Sequence, residues 1–575
     1  MNQAMHDVSV ERDVEARMRD GTILRADIWR PHGDGPFPVV LQRMPYEKEY
    51  ALADTYAHPR WYASHGYVVV MQDCRGRYRS DGEWDPFVHE VEDGADTLAW
   101  VRSLPGTTGR VGMYGASYPG ATQLQAAIGS GEDFGCICPA ITNDGFYNGW
   151  TYEGGALSLS FASYWAMTLV PDTARRKNRL DVQKAVADAM ANPGPHFATW
   201  PLRDFAPLRA SGLAPYFFDW LRHETFDDYW RARAIFPHYG QIRVPGLHIG
   251  GWYDIFLGGT LRNFAGVSAT GGEGARGRQR LLIGPWYHFP WSRYTGGSDF
   301  GDAAKRSVVD AEQLRFYDWV LKGIDDGISS EPPVKIFVMG ENRWRSEEEW
   351  PLRRAVETRW YLHSEGRANT LSGDGWLSEA PATDEPPDTC VHMPRGPLPS
   401  RGGHACCWED FTPMGPSDQR PAERLAGVLC YTSEPLAEPL EVTGPVSVTL
   451  FAATDQVDAD WVARLIDVHP DGRAINLTEG ILRASFREGL DRRVLLERDR
   501  IYEYRIDLRA TSNVFLPGHR LRVDVASSSF PHWDANPGTG QPLGEATWAD
   551  LRTATQTVFH DAARPSHVTL PVVPR

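Results

Sequence analysis

The sequence predicts an α/β domain that is interrupted by a helical insertion and followed by an all-β domain. Residues 38–43 and 66–73 form near-continuous apolar runs, which are typical of strands buried on both faces of a parallel sheet. A helical pattern over residues 89–104 and a strand pattern over 111–114 complete a strand–helix–strand rhythm. Beyond Arg359, short alternating segments separated by turns replace the helical spacing, which favours a jelly-roll sandwich.

The first element is predicted to be a β-hairpin at a sheet edge. Alternating segments within residues 8–31 flank Asp20-Gly21, a strong two-residue turn signal.

Strand patterns at residues 244–250 and 280–284 resume the α/β part after the insertion. A later helix over residues 308–321 is expected to end near Gly323.

The insertion is predicted to be a helical cap. Residues 147–236 are rich in tryptophan and tyrosine, and three segments have helical spacing: 156–169, 181–190 and 226–234. Residues 364–425 are rich in Gly, Pro, Ser, Asp and Glu, which indicates long surface loops, part of which can reach over the active site. We therefore expect an α/β catalytic domain at 1–146 and 237–350, the cap at 147–236 and the jelly-roll domain at 351–575.

Charge and composition limit the kinds of molecule that this protein is expected to bind. The 575 residues carry a net charge of -16 and no run of clustered Lys or Arg, which argues against nucleic acid and anionic membranes as partners. With no signal-like start and no apolar run of ~20 residues, the sequence predicts a cytoplasmic protein. The seven cysteines are expected to be thiols. Neither a metal nor a cofactor is predicted, because Cys136-x-Cys138 and Cys406-Cys407 are spaced too closely for the usual zinc pairs. A homo-oligomer is compatible with the sequence.

The candidate nucleophile lies within residues 110–123. A β-branched and aromatic run ends there in a small-residue turn with Ser117 at its tip, and a helical pattern follows directly. A nucleophile elbow has this form, with its serine on a strained strand-to-helix turn. The generic motif is G-x-S-x-G, whereas here the second glycine, Gly120, comes one residue late, after Pro119. Taken alone, the stretch is equally an ordinary strand–helix turn.

A nucleophilic serine needs a general base and an acid that orients the base. Asp254 follows the predicted strand that ends near Gly250, and His288 follows the one that ends at Gly284. Both would lie at the carboxyl ends of parallel strands, where ligands bind in such sheets. Singly, such an aspartate is more often a turn residue and such a histidine a packed side chain. Their order after Ser117 favours a Ser-Asp-His triad.

Several further motifs resemble one family of enzymes, the cocaine esterase and X-prolyl dipeptidyl peptidase serine hydrolases. The resemblance runs almost from end to end, and its elbow has the same late glycine. It implies an α/β-hydrolase domain, a helical cap and a C-terminal jelly-roll domain. The motifs are Gly115-x-Ser117-Tyr118-x-Gly120, Pro45-Tyr46, Gln72-Asp73-x-Arg75-Gly76, Ser80-x-Gly82-Glu83, Gly251-Trp252-Tyr253-Asp254, Gly284-Pro285-Trp286-x-His288, the segment 511–519 and the segment 528–531.

The resemblance also implies the remaining site residues. The phenol of Tyr46 and the backbone N–H of Tyr118 would form the oxyanion hole, which stabilises the charge of a tetrahedral intermediate. The sequence most resembles the cocaine esterases of the family, whose acyl pocket is aromatic. The residues at matching pocket positions are Trp150, Trp165 and Phe256. Cys406 and Cys407 replace bulkier apolar residues in a loop of the β domain, so the benzoyl-ester preference need not carry over.

We therefore predict a serine hydrolase of carboxylic esters that acts through an acyl-enzyme on a small-molecule ester or amide. Two alternatives remain open at this point. One is an X-prolyl dipeptidyl peptidase or an α-amino-acid ester hydrolase or acylase, which must hold an α-amino group, for which Glu153 or Asp144 could serve. The other is a non-catalytic ligand-binding protein on a hydrolase scaffold.

Overall fold

A computed structural model describes residues 5–49 and 56–574. The α/β part contains one large sheet with helices on both faces, and its strands before the cap alternate with three helices. The elements of this first half of the α/β part are β1 (Val8–Arg17), β2 (Ile23–Pro31), β3 (Phe37–Met44), α1 (Pro59–Ser64), β4 (Val68–Asp73), α2 (Glu90–Arg102), β5 (Thr107–Ala116), α3 (Tyr118–Ser130) and β6 (Gly135–Ala140).

The chain between β6 and the next strand of this sheet is mainly helical. Its elements are the two-stranded ribbon β7 (Tyr152–Glu153) and β8 (Ala156–Leu157), followed by α4 (Leu159–Arg176), α5 (Leu180–Ala191), α6 (Gly194–Phe197), α7 (Ala206–Ser211), α8 (Pro215–Arg222) and α9 (Asp228–Arg231). The helix predicted at 226–234 is thus only four residues long. Asp227 caps it by accepting the N–H of Tyr229, and its two aromatic residues, Tyr229 and Trp230, meet edge-on with ring centroids 5.0 Å apart.

The sheet resumes after the cap with β9 (Gly246–Gly251), α10 (Leu257–Thr270), β10 (Gln279–Gly284), the ribbon β11 (Tyr294–Thr295) and β12 (Ser298–Asp299), α11 (Ser307–Lys322), β13 (Val334–Val338) and β14 (Arg343–Glu347). Its strand order is β1-β2-β4-β3-β5-β6-β9-β10-β13-β14. The strands from β4 to β13 are parallel, and the two ends are antiparallel. The predicted α/β-hydrolase fold and the edge hairpin are confirmed, while the hairpin β13–β14 extends the sheet beyond what the pattern indicated.

The C-terminal part is almost entirely β. Its elements are β15 (Val356–His363), β16 (Trp376–Ser378), β17 (Asp388–His392), α12 (Arg420–Glu423), β18 (Leu429–Thr432), β19 (Leu440–Thr454), β20 (Asp460–Val468), β21 (Ala474–Arg483), β22 (Tyr502–Phe515), β23 (Arg520–Ala526), β24 (Ala554–Phe559) and β25 (His567–Val572). The region 364–425, expected to be loops, contains β16, β17 and α12, because these short strands pair with longer neighbours.

Two hydrophobic cores organise the molecule around the candidate site. One core joins one face of the large sheet, the cap helices and Cys406 and Trp408 from the β domain. Another fills the β domain itself and is built on Trp461 and the inward residues of β19, β20, β22 and β23. The cap and a loop of the β domain therefore share apolar surface with the sheet whose strand ends carry the candidate triad. None of the helices within residues 5–49 and 56–574 has the length and apolar character needed to cross a membrane.

Candidate active site

Ser117 lies on the sharp turn between β5 and α3. Its backbone has φ 65° and ψ −125°, a conformation that non-glycine residues seldom adopt. A Cβ on Gly115 would lie 2.4 Å from Cβ of Pro119, and a Cβ on Gly120 would lie 2.8 Å from the carbonyl oxygen of Ala140. The late glycine of the motif thus lets the first turn of α3 pack directly on the backbone of β6.

The first turn of α3 supplies a free backbone donor beside Ser117. The N–H groups of Gly120 and Ala121 donate to the carbonyl oxygen of Ser117 at 2.9 and 3.1 Å. The N–H of Tyr118 has no acceptor among the described residues, as expected for the first donors of a helix. A helix N-terminus with an unpaired N–H is suited to stabilising a negative charge.

The side chain of Tyr118 anchors the elbow through its hydroxyl. Its hydroxyl donates to Oε1 of Glu90 at 2.8 Å and accepts the N–H of Phe87 at 3.1 Å. Glu90 in turn forms a buried ion pair with Arg43, 2.8 Å between Oε2 and Nη1. Sequence reasoning missed both charged residues. The one available signal was the arginine inside the apolar run 38–43.

Asp254 and His288 meet at the carboxyl ends of β9 and β10. Nδ1 of His288 lies 2.6 Å from Oδ1 of Asp254, and both side chains are almost fully buried. The two loops are joined by the backbone, because the N–H of Tyr253 donates to the carbonyl oxygen of Trp286 at 3.0 Å. Asp254 also accepts the N–H of Phe256 at 3.1 Å, which fixes its carboxylate. With Nδ1 engaged, Nε2 of His288 is the nitrogen left for proton transfer.

Tyr46 follows β3, and its phenol lies close enough to Ser117 for the two side chains to interact. Its oxygen also accepts the indole N–H of Trp165 at 2.8 Å. Burial raises the pKa of the Tyr46 phenol well above its usual range, so the group remains protonated at neutral pH and can donate. Asp73 holds the loop after Tyr46 by accepting the N–H of Lys48 at 2.7 Å.

An aromatic cluster connects Tyr46 with His288. The rings of Trp150 and Phe256 stack with centroids 4.1 Å apart, and the ring of Phe256 meets that of His288 edge-on at 5.1 Å. Trp165 is 6.2 Å from Trp150 in a T-shaped contact. The predicted pocket residues therefore lie together beside the candidate triad, and only 5% of Ser117 is exposed.

Cys406 and Cys407 also reach the site, on a loop of the β domain. They are joined in a disulfide, so the expectation that all seven cysteines are thiols is wrong for this pair. The sequence argument considered only disulfides between cysteines far apart in the chain. The remaining cysteines are buried free thiols: Cys74, Cys136, Cys138, Cys390 and Cys430.

Two clusters among the described residues place three potential ligand atoms within 4.8 Å of one another. One comprises His288, Cys406 and Cys407 beside the candidate triad. The other comprises Asp467, His469 and His519 in the β domain, where Nδ1 of His519 lies 2.7 Å from Oδ1 of Asp467.

The two carboxylates considered for binding an α-amino group are both occupied by arginines. Asp144 receives two hydrogen bonds from Arg262, at 2.7 and 2.8 Å. Glu153 pairs with Arg509, and burial raises the pKa of Glu153 to about 7. Each carboxylate is therefore neutralised within the protein.

The sequence matches known proteins along nearly its whole length. Residues 20–290 match the X-Pro dipeptidyl-peptidase (S15 family), and residues 326–569 match the X-Pro dipeptidyl-peptidase C-terminal non-catalytic domain. Cocaine esterase of Rhodococcus sp. (strain MB1 Bresler) is 38% identical over 99% of this chain and 99% of its own.

Solved structures of related enzymes have the same fold. An α-amino acid ester hydrolase superposes with a TM-score of 0.82 at 25% identity, over 99% of this chain and 97% of its own. An aminopeptidase from the marine sediment archaeon Thaumarchaeota archaeon gives the same TM-score at 26% identity and the same coverage. The neighbours thus include both ester-directed and amide-directed hydrolases.

Proposed function

The chain belongs to the X-Pro dipeptidyl-peptidase (S15) family of serine hydrolases, and on that premise we propose that it cleaves carboxylic esters through an acyl-enzyme formed on Ser117. The observation that carries this proposal is the 2.6 Å contact between His288 and Asp254 at the carboxyl ends of β10 and β9, in the same parallel sheet in which β5 ends at the Ser117 elbow. A serine hydroxyl is a poor nucleophile without such a base.

In the proposed reaction, Oγ of Ser117 attacks the acyl carbon while Nε2 of His288 takes the hydroxyl proton. Asp254 holds the imidazole by its Nδ1–H and stabilises the imidazolium that forms. Collapse of the tetrahedral intermediate breaks the ester bond, and His288 returns the proton to the leaving alcohol. Water then attacks the acyl-enzyme with the same base and releases the acid.

The oxyanion of the intermediate would receive two hydrogen bonds, from the Tyr118 N–H and from the Tyr46 hydroxyl. Support for Tyr46 comes from its neighbours. Because the indole N–H of Trp165 already donates to the phenol oxygen, the single phenol proton is free to point toward the acyl oxygen. Burial keeps that proton in place by raising the pKa of the phenol.

The arginine partners of Asp144 and Glu153 favour simple esters over substrates with a free α-amino group. Holding an ammonium with either carboxylate would require breaking an existing ion pair, which leaves a buried or partly buried guanidinium without its partner. Uncharged ester substrates make no such demand.

The test of the nucleophile is the Ser117→Ala variant, assayed on a small aryl ester. Hydrolysis is expected to fall by roughly 10³-fold or more with the melting temperature preserved. Ser160→Ala is the matched control, because Ser160 is a buried serine whose hydroxyl has no partner among the described residues. Ester turnover by Ser117→Ala at the wild-type rate would exclude the assignment.

Peptidase or acylase activity is a second candidate, favoured by the likeness to the aminopeptidase and the α-amino acid ester hydrolase. A panel of an aryl ester, an α-amino-acid ester and an Ala-Pro-anilide separates the possibilities. We expect the simple ester to have the highest kcat/KM. Faster cleavage of the anilide or the amino ester would replace the proposal, and the absence of a fluorophosphonate adduct on Ser117 would favour a binding protein.

We also propose a cytoplasmic location, which rests on the five buried free thiols. Fractionation of the producing cells tests this proposal. Recovery of the protein outside the cytoplasmic fraction would contradict it, and would fit the Cys406–Cys407 disulfide better.

A further inference from the structure

The loop that carries Cys406 and Cys407 is hydrogen-bonded to the hydrolase domain. Gly403 and Gly415 close its base with two backbone hydrogen bonds of 2.8 Å. His404 contacts the carbonyl oxygen of Trp252 through Nε2 at 2.9 Å, two residues before Asp254. The two sulfur atoms are thus placed at the candidate site by the same strand end that supplies Asp254.

The sulfur atoms lie next to the proposed base. A ring nitrogen of His288 and the two sulfur atoms are all within 4.8 Å of one another. Since Nδ1 of His288 is bonded to Asp254, the nitrogen free to take a ligand is Nε2. Cys406 is fully buried in the core shared with the cap, and Cys407 is partly exposed at the edge of that core.

Thiol chemistry in the folded protein is confined to this pair. The other cysteines are all buried, and burial raises the pKa of each thiol, to about 12 for Cys138 and Cys390. For Cys74, Cys136 and Cys430 burial raises the pKa well above the usual range. The thiolate is the form that reacts and binds metal ions. These five cysteines therefore remain protonated, unreactive thiols in the folded protein.

We propose that Cys406, Cys407 and His288 form a site for a soft divalent cation such as Cd²⁺ or Zn²⁺, and that the Cys406–Cys407 disulfide closes this site. Two thiolates and one imidazole with an open fourth position match the preferences of these ions. The site overlaps the machinery of the proposed function and rests on it only for the consequence of binding, the loss of ester hydrolysis.

The chemistry has two steps. A dithiol reductant such as dithiothreitol transfers two electrons and two protons to the disulfide, which becomes two thiols while the reductant becomes its cyclic disulfide. The cation then binds both sulfurs and Nε2 of neutral His288, and the two thiol protons leave to solvent. The occupied Nε2 has no lone pair to accept the proton of Ser117, so hydrolysis stops. The disulfide form has no thiolate to offer and is protected from the ion.

The first test counts thiols and bound ions in the intact protein, before and after treatment with dithiothreitol and its anaerobic removal. Alkylation in denaturant should modify five cysteines in the untreated protein and seven in the reduced protein. Cd²⁺ should bind the reduced protein at one ion per chain, with thiolate-to-metal charge-transfer absorption, and should not bind the untreated protein. Equal binding by both forms would overturn the proposal.

Variants then identify the ligands. Cys407→Ser, at the partly exposed position, should have a weaker charge-transfer band, because one thiolate remains, and should bind Cd²⁺ more than about tenfold more weakly; His288→Gln should weaken binding by a similar factor. Cys390→Ala removes a distant buried thiol and is the matched control. Binding by Cys407→Ser as tight as by the control would overturn the ligand set. Melting temperatures verify that each variant is folded.

Activity supplies the last comparison. Saturating Cd²⁺ should lower ester hydrolysis by the reduced protein roughly 100-fold or more, as expected when a general base is blocked, and a chelator should restore it. Full hydrolysis by the cadmium-loaded protein would remove His288 from the ligand set. Cadmium binding to Ser117→Ala is measured in parallel, because it requires no hydrolysis. A failure of the ester proposal would therefore leave the binding result standing.

Discussion

The residues of the candidate active site fall into two groups, which are held in place by different kinds of contact. The proposed catalytic residues, called the machinery below, are Ser117, Asp254 and His288, each carried by the turn or loop at the end of a parallel strand. The wall consists of Trp150 and Trp165 from the cap region, Phe256 at the start of α10, and the Cys406–Cys407 loop of the β domain.

The difference lies in what fixes each part. Short backbone contacts position the machinery, such as the packing of Gly120 on β6 and the hydrogen bond between Tyr253 and Trp286. Side chains from segments far apart in the chain position the wall, and they meet through ring contacts and one shared apolar core. The machinery should therefore tolerate little chemical change, whereas the wall should mainly set which acyl group is accepted and how well the machinery is aligned.

Asp254→Asn is the strongest test of the machinery. The amide can keep the contact to His288, but it cannot stabilise the imidazolium and it favours the wrong tautomer of the ring. We expect kcat on an aryl ester to fall by about 10⁴-fold with little loss of stability. Steady-state kinetics and a thermal melt test this. A loss below about tenfold would mean that Asp254 only supports the loop.

Tyr46→Phe tests a residue on the border between the two parts. The variant keeps the ring but removes the hydroxyl that would donate to the oxyanion, so kcat should fall by roughly 10²- to 10³-fold with a smaller change in KM. A transition-state analogue should lose affinity by a similar factor. Unchanged kcat would assign Tyr46 to the wall.

The comparison also explains how much the sequence could predict. The elbow, Asp254 and His288 could be found because a local turn or strand end fixes each residue and its neighbours along the chain form a motif. The parallel strands could be found for the same reason, since strands buried on both faces are continuous apolar runs. The ten-stranded order could not, because pairings such as that of β10 with β13 join strands far apart in the chain.

Sequence patterns could not predict contacts between residues that lie far apart in the chain. The Tyr118–Glu90–Arg43 chain joins α3, α2 and β3, and nothing near Glu90 in the sequence marks it as a partner of the elbow. The approach of Cys406 and Cys407 to His288 depends on the docking of the β domain on the sheet. Their spacing argued against a zinc pair, but it carried no information on a third ligand from another domain.

Trp165→Phe tests whether the wall also orients the machinery. The phenylalanine keeps much of the ring and loses the N–H that donates to Tyr46, so the phenol proton can turn away from the acyl oxygen. We expect kcat to fall by up to about tenfold, the value of one ordinary hydrogen bond. Trp150→Phe is the matched control, because its indole N–H has no partner among the described residues.

A double-mutant cycle completes that test. If Trp165 acts through the phenol, Trp165→Phe should have no further effect on kcat in the Tyr46→Phe background. Independent, multiplying effects would show that Trp165 contributes only to the acyl pocket. In that case the wall and the machinery would have no energetic coupling at this contact.

The last prediction concerns the support of the Tyr46 loop and is measured as a change in stability, with no change in kcat required. Burial raises the pKa of Asp73 to about 7 from its ordinary value of 3.8, with Asp172 acting in the same direction and Lys48 opposing it. A carboxyl with a raised pKa binds its proton more tightly in the folded state. The contribution of Asp73 to the free energy of unfolding is therefore greatest below about pH 4 and is lost as the pH rises through 7.

Asp73→Asn should remove this fall in the free energy of unfolding with rising pH, which is on the order of 2–4 kcal/mol at most. The free energy of unfolding of the wild type should fall more steeply between pH 5 and 8 than that of the variant. Denaturant melts across this range measure the difference, with the exposed Asp81→Asn as the control. Other buried carboxyls are present in both proteins and cancel. Parallel pH profiles would show that Asp73 is ionised in the folded protein throughout, and that the Tyr46 loop is held by a charged carboxylate.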